Sequence, residues 1–320
     1  MNKNKTNDEE ETKAMNRFFR RMALFAAAGA MAMSMSTMTA CDSASSNDGK
    51  GTFTIAYLPD EASETKANAR KGFGDELSAL IGMKVQEFSA ADYSAIVEAM
   101  RAGHVDMAYF GPLSFCQAYE RSQAEPIGMA AMHGNKEAAF YQSHFIVKSD
   151  SDIQSLADFE GRTIAFVDPS STSGNLVPTY ELMKAFADRN FGPDDFHTNG
   201  KFFSAASYSG KHQAGLQAVV KGDVDIVPIA SSTLANEIIA GEVAADAVRI
   251  VHTSFDVPNS PMAVRGGLPQ DIKDKIRTFL LSYDNADYFE GVLGNKDFRF
   301  VHCTIDDYKS IIELDKMVNN

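Results

Sequence analysis

The chain has 320 residues, is 44% hydrophobic and 23% charged, and carries a formal net charge of −13. That length fills one large domain or two moderate ones. An acidic surface argues against nucleic acid and anionic membrane as partners, since both reward clustered Lys and Arg.

The N-terminus runs against this charge: the first forty residues hold six Lys/Arg and four Asp/Glu, leaving −15 for the rest. Arg17, Arg20 and Arg21 precede an apolar run from Met22 to about Met33, and small residues lead into Met38-Thr39-Ala40-Cys41. This is a secretory signal pattern. The cysteine straight after "MTA" resembles a bacterial lipobox, so residues 1–40 read as a lipoprotein-type signal peptide with Cys41 as the lipidated residue. Residues 1–14 extend upstream of the pattern, with Met15 as an alternative start to Met1, and Arg20-Arg21 fits twin-arginine export poorly. The expected location is outside the cytoplasm, held to the cell membrane by the lipid alone. Residues 41–51 are small and polar, a flexible tether. No later stretch is long and apolar enough to span a bilayer.

Beyond the tether, strands and helices alternate. "TIAYLPD" (54–60) reads as a buried strand, and "DYSAIVEAMRAG" (92–103) as a helix with Tyr93, Ile96, Val97 and Met100 along one stripe. "VDMAYFGPLS" follows as a strand and turn. After the extended segment 141–151 the text repeats itself: "TIAFVDP" (163–169) matches the first strand, and "VVKGDVDIVPIASST" (219–233) matches "MRAGHVDMAYFGPLS" (100–114). Gly103 and Gly222 fit the position just past a helix, where φ is positive. A second extended segment, 250–265, leads to the C-terminal part.

Two copies of a strand–helix–strand unit imply an α/β protein of two lobes with parallel-type sheets, joined by two crossings. The expected organisation is lobe 1 at 52–143 plus 256–320 and lobe 2 at 144–255. Open α/β sheets bind ligands beyond the carboxyl ends of their strands. The loops there are "LPDEASE", "YFGPLS", "DPSSTSGN" and "IASST". The seven histidines show no HxxxH and the cysteines no CxxC, so neither a metal nor a cofactor is expected. Cys116 and Cys303 could pair in an oxidising compartment, but they lie far apart in sequence and two buried free thiols are expected.

Chemistry concentrates in "DPSSTSGNLVP" (168–178). Ser and Thr are good helix N-caps, Gly174 permits close backbone approach, and Pro178 is tolerated only in a first turn. Ser171, Thr172 and Ser173 with exposed N–H groups would suit a tetrahedral oxyanion. A capped helix with spare hydroxyls fits the same residues. A secreted hydrolase using the Ser170–Ser173 cluster is a third reading, although G-x-S-x-G is absent and no S-x-x-K falls within the cluster.

"DPSSTSGNLVP", "DYSAIVEAMRAGHVDMAYFGPLS" and "SGKHQAGLQAVVKGDVDI" together resemble the periplasmic phosphonate-binding proteins of ABC importers, over nearly all of residues 52–310. The resemblance implies a type II periplasmic binding fold and a non-enzymatic monomer that hands a small phosphorus oxyanion to a permease and ATPase. A sensory subunit on the same fold is a variant of this reading. The resemblance also implies that Ser171, Thr172 and Ser173 donate to the phosphorus oxygens. His212 would donate to the anion or pair with it as an imidazolium, and Tyr93 would bring a hydroxyl. At the position before "GPLS", where the family often presents a tyrosine, stands Phe110, with Tyr109 one step earlier and facing the other way. Members that bind aminoalkyl phosphonates place acids where this chain has Ala230 and Ser260, so an amine-bearing ligand is expected to be disfavoured.

Overall fold

The computed structural model describes residues 51–60 and 62–319. The signal peptide, Cys41 and the tether up to residue 50 lie outside the described residues. In the first part, β1 (Thr52–Tyr57), α1 (Glu64–Ile81), β2 (Lys84–Phe88), α2 (Tyr93–Arg101), β3 (Met107–Tyr109), α3 (Pro112–Ser122) and β4 (Glu125–Met132) follow one another. The short β5 (Phe140–Tyr141) leads into β6 (Ser143–Lys148), β7 (Thr163–Phe166), α4 (Val177–Ala185), α5 (Pro193–His197) and β8 (Ala205–Tyr208). Then come α6 (His212–Lys221), β9 (Ile226–Ala230), α7 (Ser231–Ile239) and β10 (Val248–Thr253). The chain closes with β11 (Val257–Pro258), β12 (Pro261–Val264), α8 (Gln270–Ser282), α9 (Ala286–Leu293), β13 (Phe298–Val301) and α10 (Lys309–Asn319).

Two sheets result, in the orders β13-β4-β12-β3-β1-β2 and β10-β6-β9-β7-β8, with β5 and β11 pairing as a separate ribbon. The expected parallel sheets are only half parallel. β1 lies parallel to β2 and β3, and β7 parallel to β8 and β9. By contrast β12 runs antiparallel to β3 and β4, and β6 antiparallel to β9 and β10. The reason is connectivity: a helix carries the chain back for a parallel partner, whereas the strands at the crossings enter their sheets without one. The segments 141–151 and 250–265 thus supply β6 and β12, both interior strands.

Side chains alternate across the first sheet. Ile55, Tyr57 and Met107 pack on one face with Phe73 and Leu77 of α1. Ala56, Ala108 and Phe110 pack on the other with Ile96, Val97 and Met100 of α2, the stripe that periodicity predicts. Cys116 and Cys303 are free thiols in this second cluster, and burial pushes both up to about 12.

The repeat has a physical core. In both copies the Asp of G-x-V-D accepts a backbone N–H from the Thr that opens T-I-A: Thr54 donates to Asp106 Oδ2 at 2.9 Å, and Thr163 to Asp225 Oδ2 at 2.8 Å. Each carboxylate thereby ties the start of its strand to the neighbouring one. Gly103 and Gly222 both take φ of 79°, as expected just past helices.

Candidate ligand-binding site

The loops beyond β1, β3, β7 and β9 converge on one cavity of about 490 Å³. Its wall includes Tyr93, Ser171, Thr172, Ser173 and His212, so five of the six ligand residues expected from sequence are brought together.

The serine loop is shaped from within. Val167 N–H donates to Gly174 O at 2.9 Å, closing a short loop that returns on itself. Asp168 organises its first half: Oδ1 accepts from Ser170 N–H at 2.7 Å, and the backbone O accepts from Ser171 N–H at 2.8 Å. A Cβ on residue 174 would overlap the Val167 side chain, so only glycine fits where the loop doubles back. A π-helical turn, Thr172–Leu176, then runs into α4, with Pro178 in the first turn. The helical rise thus begins at Thr172, straight after the Ser171 cap.

Hydroxyl polarity follows from these bonds. Ser171 Oγ accepts from Gly174 N–H at 3.1 Å, and Thr172 Oγ1 accepts from Leu113 N–H at 2.8 Å. A hydroxyl that takes a backbone N–H through one lone pair keeps its own proton free to donate. Ser171, Thr172 and Ser173 are only 1%, 2% and 2% exposed, so their hydroxyls form a buried ring on the cavity wall. The Leu113 bond also links the start of α3, beside the first sheet, to the loop after β7 of the second.

His212 opens α6, and Ala230 N–H donates to its Nδ1 at 3.2 Å. An accepting Nδ1 leaves the proton on Nε2, which serves as a neutral donor. Burial pushes the imidazole down to about 4, so the ring is uncharged near neutral pH. Of the two roles expected for His212, this geometry favours the neutral donor.

Four tyrosines line the cavity, Tyr57, Tyr93, Tyr109 and Tyr141. Burial raises the Tyr93 phenol well above its ordinary range, and the nearby Asp168 charge raises it further. Burial likewise pushes Tyr109 and Tyr141 up to about 12, with the hydroxyls of Ser260 and Ser173 beside them opposing the rise. These last three therefore remain protonated donors. Asp168 itself is held above the usual carboxylate range by burial, partly offset by the N–H groups of Ser170 and Tyr93.

Phe110 is placed elsewhere. It is fully buried on the face covered by α2, with Ala56 and Ile96, and is not part of the cavity wall. Tyr109 faces the cavity instead, because β3 ends there and alternation turns its ring to the other side. The tyrosine hydroxyl is thus present, supplied one residue earlier than the resemblance implies. Tyr141 was not singled out by the sequence reading. The signal for it is a tyrosine at the crossing "YQSHF", where one residue can face both lobes.

Carboxylates also reach the wall. Ala230 and Ser260 line the cavity without an acid, as read from sequence, but Asp60, Glu237 and Glu290 approach from other elements. Asp60 is ion-paired with Lys66 at 2.6 Å and Arg70 at 3.0 Å, and Arg70 also lies 4.2 Å over the Tyr57 ring. Asp60 stands inside the "LPDEASE" loop, Glu237 lies one helical turn beyond "IASST", and Glu290 sits on α9, far in sequence from every one of these loops. Among the described residues no cluster of His, Cys, Asp and Glu could hold a metal ion.

Comparison with known proteins places this arrangement. The family described as "ABC transporter, phosphonate, periplasmic substrate-binding protein" matches residues 55–308. The chain is 30% identical over 274 residues to the phosphate-import protein PhnD of Mycolicibacterium smegmatis, covering 82% of this chain and 83% of that protein. It is 28% identical over 225 residues to the phosphonates-binding periplasmic protein of Escherichia coli, covering 69% and 63% respectively. Among solved structures, a binding protein component of an ABC phosphonate transporter from Pseudomonas aeruginosa superposes with a TM-score of 0.70 at 26% identity, covering 83% of this chain and 86% of that one. PhnD1 of Prochlorococcus marinus, solved with methylphosphonate, shares the fold with a TM-score of 0.71 at 19% identity, covering 84% and 98%. The chain therefore belongs to the periplasmic substrate-binding proteins of the ABC-transporter phosphonate family.

Proposed function

We propose that this protein captures a small phosphorus oxyanion (phosphonate, phosphite or phosphate) between its lobes and delivers it to an ABC permease and ATPase. It works as a monomer tethered through a lipid on Cys41, with lobe 1 at 52–143 plus 256–320 and lobe 2 at 144–255. The observation that carries the reading is the buried ring of neutral donors: Ser171, Thr172 and Ser173 backed by His212, Tyr93 and Tyr141. Phosphorus oxyanions are strongly hydrated, and fixed dipoles replace that water with little reorganisation. An acidic protein can bind an anion this way because selectivity rests on donor count and not on net charge.

A thermal-shift panel of phosphite, phosphate, methylphosphonate, aminoethylphosphonate, sulfate and nitrate at one pH tests the reading. A ligand that binds only the folded protein stabilises it by RT ln(1+[L]/Kd), so the order of shifts is the order of affinity. Phosphorus oxyanions should lead, and equal shifts with sulfate or nitrate would overturn the assignment. Ser260 lines the wall without an acid, so Ser260→Asp should move preference toward aminoethylphosphonate. Unchanged calorimetric selectivity would remove the argument against an amine.

A further inference from the structure

Away from the donor ring, α7 and α9 form another part of the cavity wall, where Asn236 of α7 meets Gly294 at the end of α9. Gly294 caps α9 in the left-handed region with φ of 82°, its N–H donating to Glu290 O at 3.0 Å. A Cβ added there would overlap all three terminal atoms of the Asn236 carboxamide. The carboxamide thus lies against bare glycine backbone.

The two residues belong to different halves of the molecule. α9 packs on α1 so closely that a Cβ on Gly291 would come within 3.1 Å of Ala69 Cβ, which holds α9 to the first lobe. α7 continues directly from β9 of the second sheet. The junction of β9 and α7 is Ala230, whose N–H holds His212. The proposed anion contact of His212 and the Asn236–Gly294 contact therefore sit on one rigid strand–helix unit.

We propose that Asn236 and Gly294 form a clasp that holds the cleft shut over the ligand, and that Asn236 thereby sets selectivity by the size of the group on phosphorus. This rests on the phosphorus-oxyanion reading above. A small substituent leaves the clasp intact, so its binding includes the clasp contact. A bulky substituent reaches the wall and displaces the carboxamide, so its binding lacks that contact already.

The test measures Kd and release rate for methylphosphonate and phenylphosphonate on the full protein and on Asn236→Ala, with the melting temperature of each ligand-free protein as the folding check. Asn236→Ala should weaken methylphosphonate about ten-fold, through faster release, and phenylphosphonate less than about two-fold, the range expected for truncating one interface contact. Equal loss on both ligands, or no loss on either, would overturn the clasp. Gly294→Ala, which places a methyl in the carboxamide's position, should reproduce the same bias, and a variant that folds without it also overturns the clasp. If the parent protein binds neither phosphonate nor phosphate or phosphite, the phosphorus-oxyanion reading itself falls and takes the clasp with it, whereas a parent that binds only phosphate or phosphite keeps that reading and overturns selection by the group on phosphorus. A parent that binds both with an unaltered Asn236→Ala profile removes the clasp alone.

Discussion

The corners after β1 and after β7 occupy the same place in the two copies of the repeat, and each pairs a proline with an aspartate. After β1 the order is Pro59-Asp60, and the carboxylate turns to α1, where Lys66 and Arg70 neutralise it. After β7 the order is Asp168-Pro169. Here the carboxylate is 6% exposed and takes the N–H of Ser170 at 2.7 Å and of Tyr93 at 3.4 Å. The swap of residue order, together with the hydroxyls and the glycine that follow it in the second copy, separates an ion-paired rim from a folded donor loop. A carboxylate facing a helix with cations becomes part of a charge cluster, whereas Asp168, turned inward, takes backbone donors from Ser170 and Tyr93, and the local Ser170 bond helps to bend the chain into the cradle.

Gly174→Ala attacks the second corner most directly, because the new methyl would overlap Val167. We expect loss of measurable methylphosphonate binding by calorimetry and a destabilisation of about 1–3 kcal/mol, typical of overpacking. A variant with parental affinity would mean that the loop need not double back there. Thr172→Ala removes a hydroxyl that both bridges to Leu113 and faces the cavity. Its Kd should rise about 10- to 100-fold, the worth of one hydrogen bond to a charged group.

The two aspartates can then be compared as a pair. Asp168→Asn should raise Kd about ten-fold by disturbing the Ser170 and Tyr93 contacts. Asp60→Asn, at an ion-paired and partly exposed site, should change Kd less than about three-fold. Equal effects at both positions would erase the distinction drawn between the corners.

The smallest expected effect concerns pH. The folded His212 lies near 4, below its ordinary 6.5, because burial disfavours the charged ring. Its contribution to stability is therefore complete above about pH 6.5 and is lost as pH falls from there toward 4. As a neutral donor it should leave the ratio of parental to His212→Ala affinity flat from about pH 5.5 to 8.5. A ratio that declines as pH rises through this range would identify an imidazolium partner instead. Using the ratio cancels the ligand's own titration.

Much of this site is legible in the chain itself, for local reasons. The hydroxyls of 170–173, the glycine at 174 and the proline at 178 each state a backbone requirement of their own loop, and the repeat assigns that loop to a strand's carboxyl end. Phe110 shows the limit: alternation is readable from sequence, but which of the two faces is lined by ligand depends on where the strand stops. Tyr141 and the acids Glu237 and Glu290 were missed because they come from a crossing and from helices whose approach to the cavity is set by packing between distant segments.

Taken alone, the sequence determines the two-lobed α/β architecture, the glycines past the helices and the donor-rich loop, since strand and helix periods and turn chemistry act over a few residues. Only the tertiary structure decides that the crossing strands run antiparallel, that Tyr109 and not Phe110 faces the cavity, and that Asn236 meets Gly294. It also decides that His212 is neutral, because an imidazole's charge depends on how much water the rest of the fold leaves around it.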